Sequence, residues 1–520
     1  MVSFSRREIM KFATAITGVA FLPTRLLAAQ SDTLRLAIAA EVGSLDLLQN
    51  VSPLHTYSLV FEPLINYGQN GILEPALAEN WEVSEDGLTI SFALRPNVTF
   101  SDGTPFNAEV AKQCLERWMG KEDFSWIGVS AALNSIEAVG PNTLEIRLKS
   151  PVPAALMELT IIRPVRFLSP QAVGENGEQT DPIGTGPWVV MANSNAGTTL
   201  KRNENYWGEK PSFSAIELRV VPDELSRSNA LRAGDLDVIG GEWIAPLSPR
   251  RARALQQTSG VSVATAPGAA AVLLTFSPRS MVFTDAATRE AANLSIDRNS
   301  VVQIVYEGFA EPTANMIPST VPASGIIFPI PGRDVGAARA KLESAGWEAS
   351  GNGWTRNGAP LAVDLMVSDE SLPGSRRMAE LLQQQLSETG FAVTVSSVDN
   401  ATIHDRRQSF DYDLTFMVTY GAPYDPHGTI ANLLLSSVNS GPDGKIFTSP
   451  ELDPIIEAGL GAPEAERDAK MQEIFDWLRV NSAVVPLVVP QRLWAHGDRV
   501  TNFSIPPHDY DMPVEGVVLT

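Results

Sequence analysis

The sequence predicts an α/β protein of at least two lobes, on three observations. Its 520 residues exceed what one core sustains, because single hydrophobic cores stop growing at ~250–300 residues. Runs with a two-residue apolar period are interspersed with helical patterns along the whole chain. No fixed-period repeat, coiled coil or low-complexity linker divides it into autonomous halves, so the lobes are expected to exchange strands. A chain 44% hydrophobic and 19% charged can bury such cores, which excludes a disordered or fibrous protein.

Along the chain, the first segment is an address. Residues 1–29 carry a basic stretch, an apolar run from Phe12 to Leu22, and Ala28 and Ala29 before Gln30. That is the layout of an export signal, and the run is shorter than the ~20 residues a membrane span needs. SRREIMK (5–11), with Arg6 and Arg7, resembles the twin-arginine signal that exports folded proteins; a general secretory signal containing two arginines is the alternative. No cysteine follows the run, so a lipid anchor is excluded.

Next, Leu34, Leu36 and Ile38 alternate as in a half-buried strand, as do Leu88, Ile90, Phe92 and Leu94, and then Leu144, Ile146 and Leu148. Helical patterns occupy 226–233, 286–296, 337–345 and 375–386. Loss of residues 1–29 removes four basic residues and one acidic residue, leaving 35 basic against 59 acidic, a charge of −24. A protein so acidic has no phosphate-neutralising face, which argues against nucleic acid as partner. The single cysteine, Cys114, excludes an intramolecular disulfide and every multi-cysteine metal site; lying in a helix-like stretch, it reads as a structural thiol. No nucleophile elbow and no HExxH helix is present, so an enzyme is not expected.

Several longer motifs are more specific. WEVSEDG (81–87) and LRPNVTFSDGTPFNA (94–108) are followed in order by PIGTGPW (182–188), RNENYW (202–207), GDLD (234–237), REAANLSIDR (289–298) and AKLESAGW (340–347). Together they resemble the extracellular solute-binding proteins of peptide, nickel and opine ABC importers, across almost the whole exported chain. VFEPL (60–64), RPVRF (163–167) and GAPYDPH (421–427), with YWGEKP (206–211) in support, look most like the nickel-type members. The resemblance implies a two-lobe periplasmic binding protein fold of class II type, with an enlarged first lobe of residues 30–270 plus 491–520 and a second lobe of 271–490. It also implies a hinge, an interlobe cleft and no chemistry beyond recognition.

Capture of a charged solute requires an enclosed cleft with a few preset polar groups. In so acidic a chain, a cleft-facing cation is informative. Arg163, after the apolar stretch 156–162 and before Pro164, is expected where a strand ends. A guanidinium there could grip a carboxylate with two parallel hydrogen bonds, and the resemblance matches Arg163, not Arg166, to the arginine that holds a metal chelate. Pairing with a protein carboxylate is the structural alternative. Trp126, Tyr420 and Tyr424 match aromatic positions that wall the chelate, and Tyr510 matches a further cleft position; core packing is the alternative for each.

Three departures from the nickel-type pattern bear on the cargo. Asp123 falls where an arginine is expected, Val438 where a metal-ligating histidine is expected, and Leu54 where a methionine is expected. His404 replaces a tyrosine and is the histidine best placed to substitute as a ligand, although isolated histidines are more often satisfied structurally. No intrinsic cofactor is expected. The expected cargo is nickel or another transition metal held by a small chelator, delivered by a monomer to membrane permease subunits, the transporter being its only contact with the membrane. One carboxylate for Arg163 and an amine for Asp123 would instead describe an opine or peptide.

Overall fold

The computed structural model describes residues 32–49, 54–321, 327–424, 426–438 and 444–520. The export segment and Asn439, beside the position expected for a metal-ligating histidine, lie outside the described residues.

Two mixed sheets organise the molecule. In the first, the strand order is Val261–Ala266, Arg492–Gly497, Val238–Gly240, Thr33–Ile38, Ala215–Val220, Gly197–Arg202 and Trp188–Ser194. Thr33–Ile38 runs parallel to both of its neighbours, and the remaining pairs are antiparallel. The second sheet runs Ala310–Pro312, Val484–Pro490, Val272–Phe276, Leu414–Val418, Ala362–Val367 and Ala392–Ser397. Val272–Phe276 is buried at every position, as a central strand covered on both faces must be.

A third, antiparallel sheet of Ala78–Val83, Thr89–Leu94, Thr143–Leu148 and Leu133–Gly140 enlarges the first half. Its two central strands bury alternate residues; Ile90, Phe92 and Leu94 pack with Leu144, Ile146 and Leu148 in one core. That alternation is the two-residue period of the sequence.

The chain crosses between the two large sheets twice, at 266–272 and at 490–492. The crossings touch: a Cβ on Gly268 would lie 1.9 Å from the Pro490 carbonyl oxygen, so only glycine fits there. The buried Arg492 ties both to the C-terminal tail, donating from Nε to the Pro267 carbonyl and from Nη1 to that of Pro506.

The signature motifs act as scaffold. Gly234 closes helix Glu224–Ala233 at φ 77°, and Asp237 clamps Arg35 at 2.7 Å and Arg499 at 3.0 Å, fastening adjacent strands to the tail. Trp347 donates from Nε1 to Thr288 Oγ1 at 2.9 Å, joining AKLESAGW to the residue just before REAANLSIDR. Cys114 is buried with Sγ 3.2 Å from the Leu168 carbonyl, and burial pushes its thiol up to about 11, the state of a structural cysteine.

Candidate functional site

Residues 159–167 determine what Arg163 does. The preceding apolar stretch forms the short helix Ala155–Glu158 and then irregular buried chain, not the strand expected there. Its apolar residues Leu159, Ile161, Ile162, Val165 and Phe167 all turn into cores, which leaves the two arginines to be accommodated.

They are treated differently. Arg166 is buried and donates from Nη1 to the carbonyls of Ile161 at 2.8 Å and Val165 at 3.1 Å, so it staples its own loop; burial pushes it down to about 10. Arg163 is half-buried and has no hydrogen-bond or ion-pair partner among the described residues. Burial lowers its proton affinity, while the nearby phenols of Tyr57 and Tyr424 act in the opposite direction. A partly desolvated cation without a carboxylate is costly unless something outside the chain pairs with it.

The loop carrying Arg163 is fixed from behind. Ser169 donates to Asp102 Oδ2 at 2.6 Å, and Asp102 Oδ1 accepts from the Thr104 backbone at 2.8 Å, so the SDGT motif pins the end of the loop. Glu62 is buried and accepts from Tyr206 Oη at 2.9 Å and Trp207 Nε1 at 2.8 Å, locking VFEPL to RNENYW. A Cβ on Gly184 would stand 2.0 Å from the Val60 carbonyl, so PIGTGPW packs on the same segment only because that residue is glycine.

The aromatic walls come from other parts of the chain. Tyr420 and Tyr424 follow strand Leu414–Val418 of the second sheet, their ring centroids 6.2 Å apart. Tyr424 meets Tyr510 of the tail edge-on at 5.9 Å and hydrogen-bonds to its phenol. Burial raises both phenols, Tyr510 well above its ordinary value, so they stay neutral donors at physiological pH. The structure thus brings Arg163, Tyr424, Tyr510 and Tyr420 together from three separated segments.

The remaining expected residues stand differently. Trp126 is 49% exposed, on a turn whose next helix is held by Glu158 accepting from the Gly128 and Val129 backbones at 3.0 and 2.7 Å. It is therefore not core packing; it is an aromatic side chain left open on an anchored turn. Asp123 is exposed on the same turn. His404 lies half-buried on helix Asn400–Ser409, and the cluster above is assembled without it. Among the described residues no group of three or more His, Cys, Asp and Glu is placed to hold a metal ion.

Reading the sequence missed the charged groups around Tyr510. Asp509 lies 3.6 Å from Arg492, and His508, buried, is 3.1 Å from Asp511 and meets the Tyr67 ring at 5.8 Å. Glu242 follows strand Val238–Gly240 and acts electrostatically on Tyr510 and on Tyr306. The alternating HDYD of 508–511 was the available signal. Two further cavities, of about 240 and 210 Å³, lie elsewhere, one beside the crossings and one in the second half near Arg298.

Comparison with known proteins identifies the family. Residues 73–441 match the family model described as bacterial extracellular solute-binding proteins, family 5 Middle. The nickel-binding periplasmic protein of Escherichia coli is 29% identical over 506 residues, covering 94% of this chain and 95% of that protein. Among solved structures, an ABC transporter substrate-binding protein from Sinorhizobium meliloti is 40% identical with a TM-score of 0.83, covering 94% of this chain and all of the other. NikA from Brucella suis in complex with Fe(III)-EDTA is 28% identical with a TM-score of 0.86 over the same shares of each chain. The chain belongs to family 5 of the bacterial extracellular solute-binding proteins, the two-lobed binding proteins of ABC importers.

Proposed function

We propose that this protein is the periplasmic receptor for a metal held by a small organic chelator, nickel being the first metal to test, and that it hands this cargo to the permease of an ABC importer. The observation that carries the reading is Arg163: a partly desolvated guanidinium with no hydrogen-bond or ion-pair partner among the described residues, near the phenols of Tyr57 and Tyr424, the latter packed against Tyr510 of the tail. A carboxylate of a chelate would supply the missing counter-charge through a bidentate contact, and the tyrosines would supply rigid walls and neutral donors. Relatives that bind nickel and an Fe(III)-EDTA complex support a chelate rather than a bare ion. So does the lack, among the described residues, of a group that could ligate metal by itself.

The chain acts as a monomer without chemistry of its own. Lobe closure about the 266–272 and 490–492 crossings buries the solute. Residues 1–29 deliver it as a twin-arginine signal, so changing both Arg6 and Arg7 to lysine should retain it in the cytoplasm. The second reading is a peptide or opine receptor, as a glutathione-binding relative illustrates. Native mass spectrometry with elemental analysis of protein purified gently from the periplasm separates the two. An adduct with a transition-metal isotope pattern supports the chelate; a metal-free organic adduct transfers the assignment to peptides or opines.

A further inference from the structure

Strand Val238–Gly240 runs parallel to Thr33–Ile38, and at its carboxyl end the chain turns through Gly240 and Gly241. Ligands of open α/β sheets bind beyond the carboxyl ends of parallel strands, and the next residue there is Glu242. Its position is fixed: the Gly241 amide donates to the Leu493 carbonyl at 3.0 Å, which sets Glu242 beside Arg492.

Glu242 is exposed, and among the described residues it has no hydrogen bond and no ion pair. The antiparallel pairing of Gly240 with Trp494 carries Glu242 opposite Arg492, at the 490–492 crossing between the two large sheets, and its charge acts on Tyr306 of the second-lobe core and on Tyr510 of the tail. Its nearest charges are Asp509 and Arg492. Arg492 is engaged with Asp509 at 3.6 Å and with two carbonyls, so it is not committed to Glu242. Protein crowding and the Asp509 charge hold the Glu242 carboxyl above the usual glutamate range, as expected where a counter-cation is missing.

At the other end of the same tyrosine chain, Arg163 is an uncompensated positive charge. We infer that Glu242 is a specificity-determining residue of the cleft, receiving a cationic group of a dipolar solute whose anionic group is held by Arg163. Asp123, exposed on its turn, is not needed for that role. The inference rests on the binding-protein reading and narrows it: an amino-acid-based chelator or peptide with a free ammonium fits, and an all-anionic chelate does not.

Calorimetry on the purified protein tests it with five probes: Ni(II) with L-histidine, glutathione, N-acetylglutathione, the peptide Ser-Thr-Ser-Ala and Fe(III)-EDTA. Wild-type protein should bind glutathione or the Ser-Thr-Ser-Ala peptide, whose amines are free ammonium groups; in the nickel–histidine complex the amine is bound to the metal, so binding of that probe alone would overturn the inference. Glu242→Gln should weaken the bound ammonium probe at least tenfold, and Glu242→Lys should strengthen Fe(III)-EDTA; glutathione, if bound, should exceed its acetylated form. Binding that depends on Arg163 but changes less than twofold in Glu242→Gln overturns the inference and leaves the importer reading standing. So does tightest binding of Fe(III)-EDTA by wild-type protein. No binding of any probe at millimolar concentration counts against both. Because the Glu242 carboxyl is held above its usual range, Glu242→Gln should leave the melting temperature unchanged or raise it, so weaker binding by a variant at least as stable as wild type is a recognition effect and not misfolding.

Discussion

Glu62 offers a test of how the scaffold behind Arg163 is held. Its carboxylate is buried against the Tyr206 hydroxyl and the Trp207 indole, and burial pushes it up to about 7 from an ordinary 4.5, the two hydrogen bonds and Arg166 acting in the opposite direction. Between those values the folded protein holds a proton that the unfolded chain has released, so stability falls as pH rises. The full contribution is present below about pH 4.5 and is lost as pH passes through about 7. The size is roughly 3 kcal/mol at ~1.4 kcal/mol per pH unit. For a lobe of this size that is roughly 6–12 °C in melting temperature. Glu62→Gln removes the titration; its amide oxygen accepts from Trp207 Nε1 and its N–H₂ donates to the Tyr206 hydroxyl, which costs that buried hydroxyl its acceptor, a pH-independent cost of ~1–3 kcal/mol. Melting curves by circular dichroism from about pH 5 to about pH 8 should therefore show the variant less stable at acid pH, with the gap closing or reversing toward alkaline pH. A constant offset across that range would refute the reasoning, because it would mean Glu62 is ionised as easily folded as unfolded.

Three other outcomes follow from the same geometry. Arg163→Ala should weaken solute binding more than tenfold while leaving the melting temperature unchanged or raised, since it removes a partly desolvated charge that has no partner among the described residues; calorimetry and a thermal melt read the two effects separately. Arg166→Met should instead cost on the order of 2–4 kcal/mol, because it strips the carbonyls of Ile161 and Val165 of their buried donor; the loss is read by denaturant unfolding. Cys114 should resist labelling by a thiol reagent in the native protein and react fully in denaturant, as a buried thiol pushed up to about 11 requires.

The fold was readable where one physical signal dominates. Thr33–Ile38 alternates cleanly and is a strand over those six residues, and the helix expected over 226–233 starts two residues earlier because Asp223 caps it by accepting from the Ser226 amide. The helix expected over 286–296 stops at Leu294, capped at its start by Asp285. The stretch 156–162 misled because a short apolar run reads alike in a strand and in buried irregular chain; what decides is the Arg166 staple, which a periodicity cannot reveal. At the site, Arg163 was found through resemblance. Its distinction from Arg166 is three-dimensional: one guanidinium finds carbonyls and the other does not. Glu242 was missed for a related reason, since its neighbours Arg492 and Asp509 lie some 250 residues further along the chain and only the sheet brings them together.

The central claim is that Arg163 holds the charged group of a captured solute between the lobes. Native mass spectra of wild-type protein and Arg163→Ala, purified side by side from the periplasm, test it whatever the chemical identity of the cargo. The account predicts a small-molecule adduct on the wild-type protein that is absent or strongly reduced on the variant, with both chains equally folded. An adduct of the same mass and occupancy on both would contradict it.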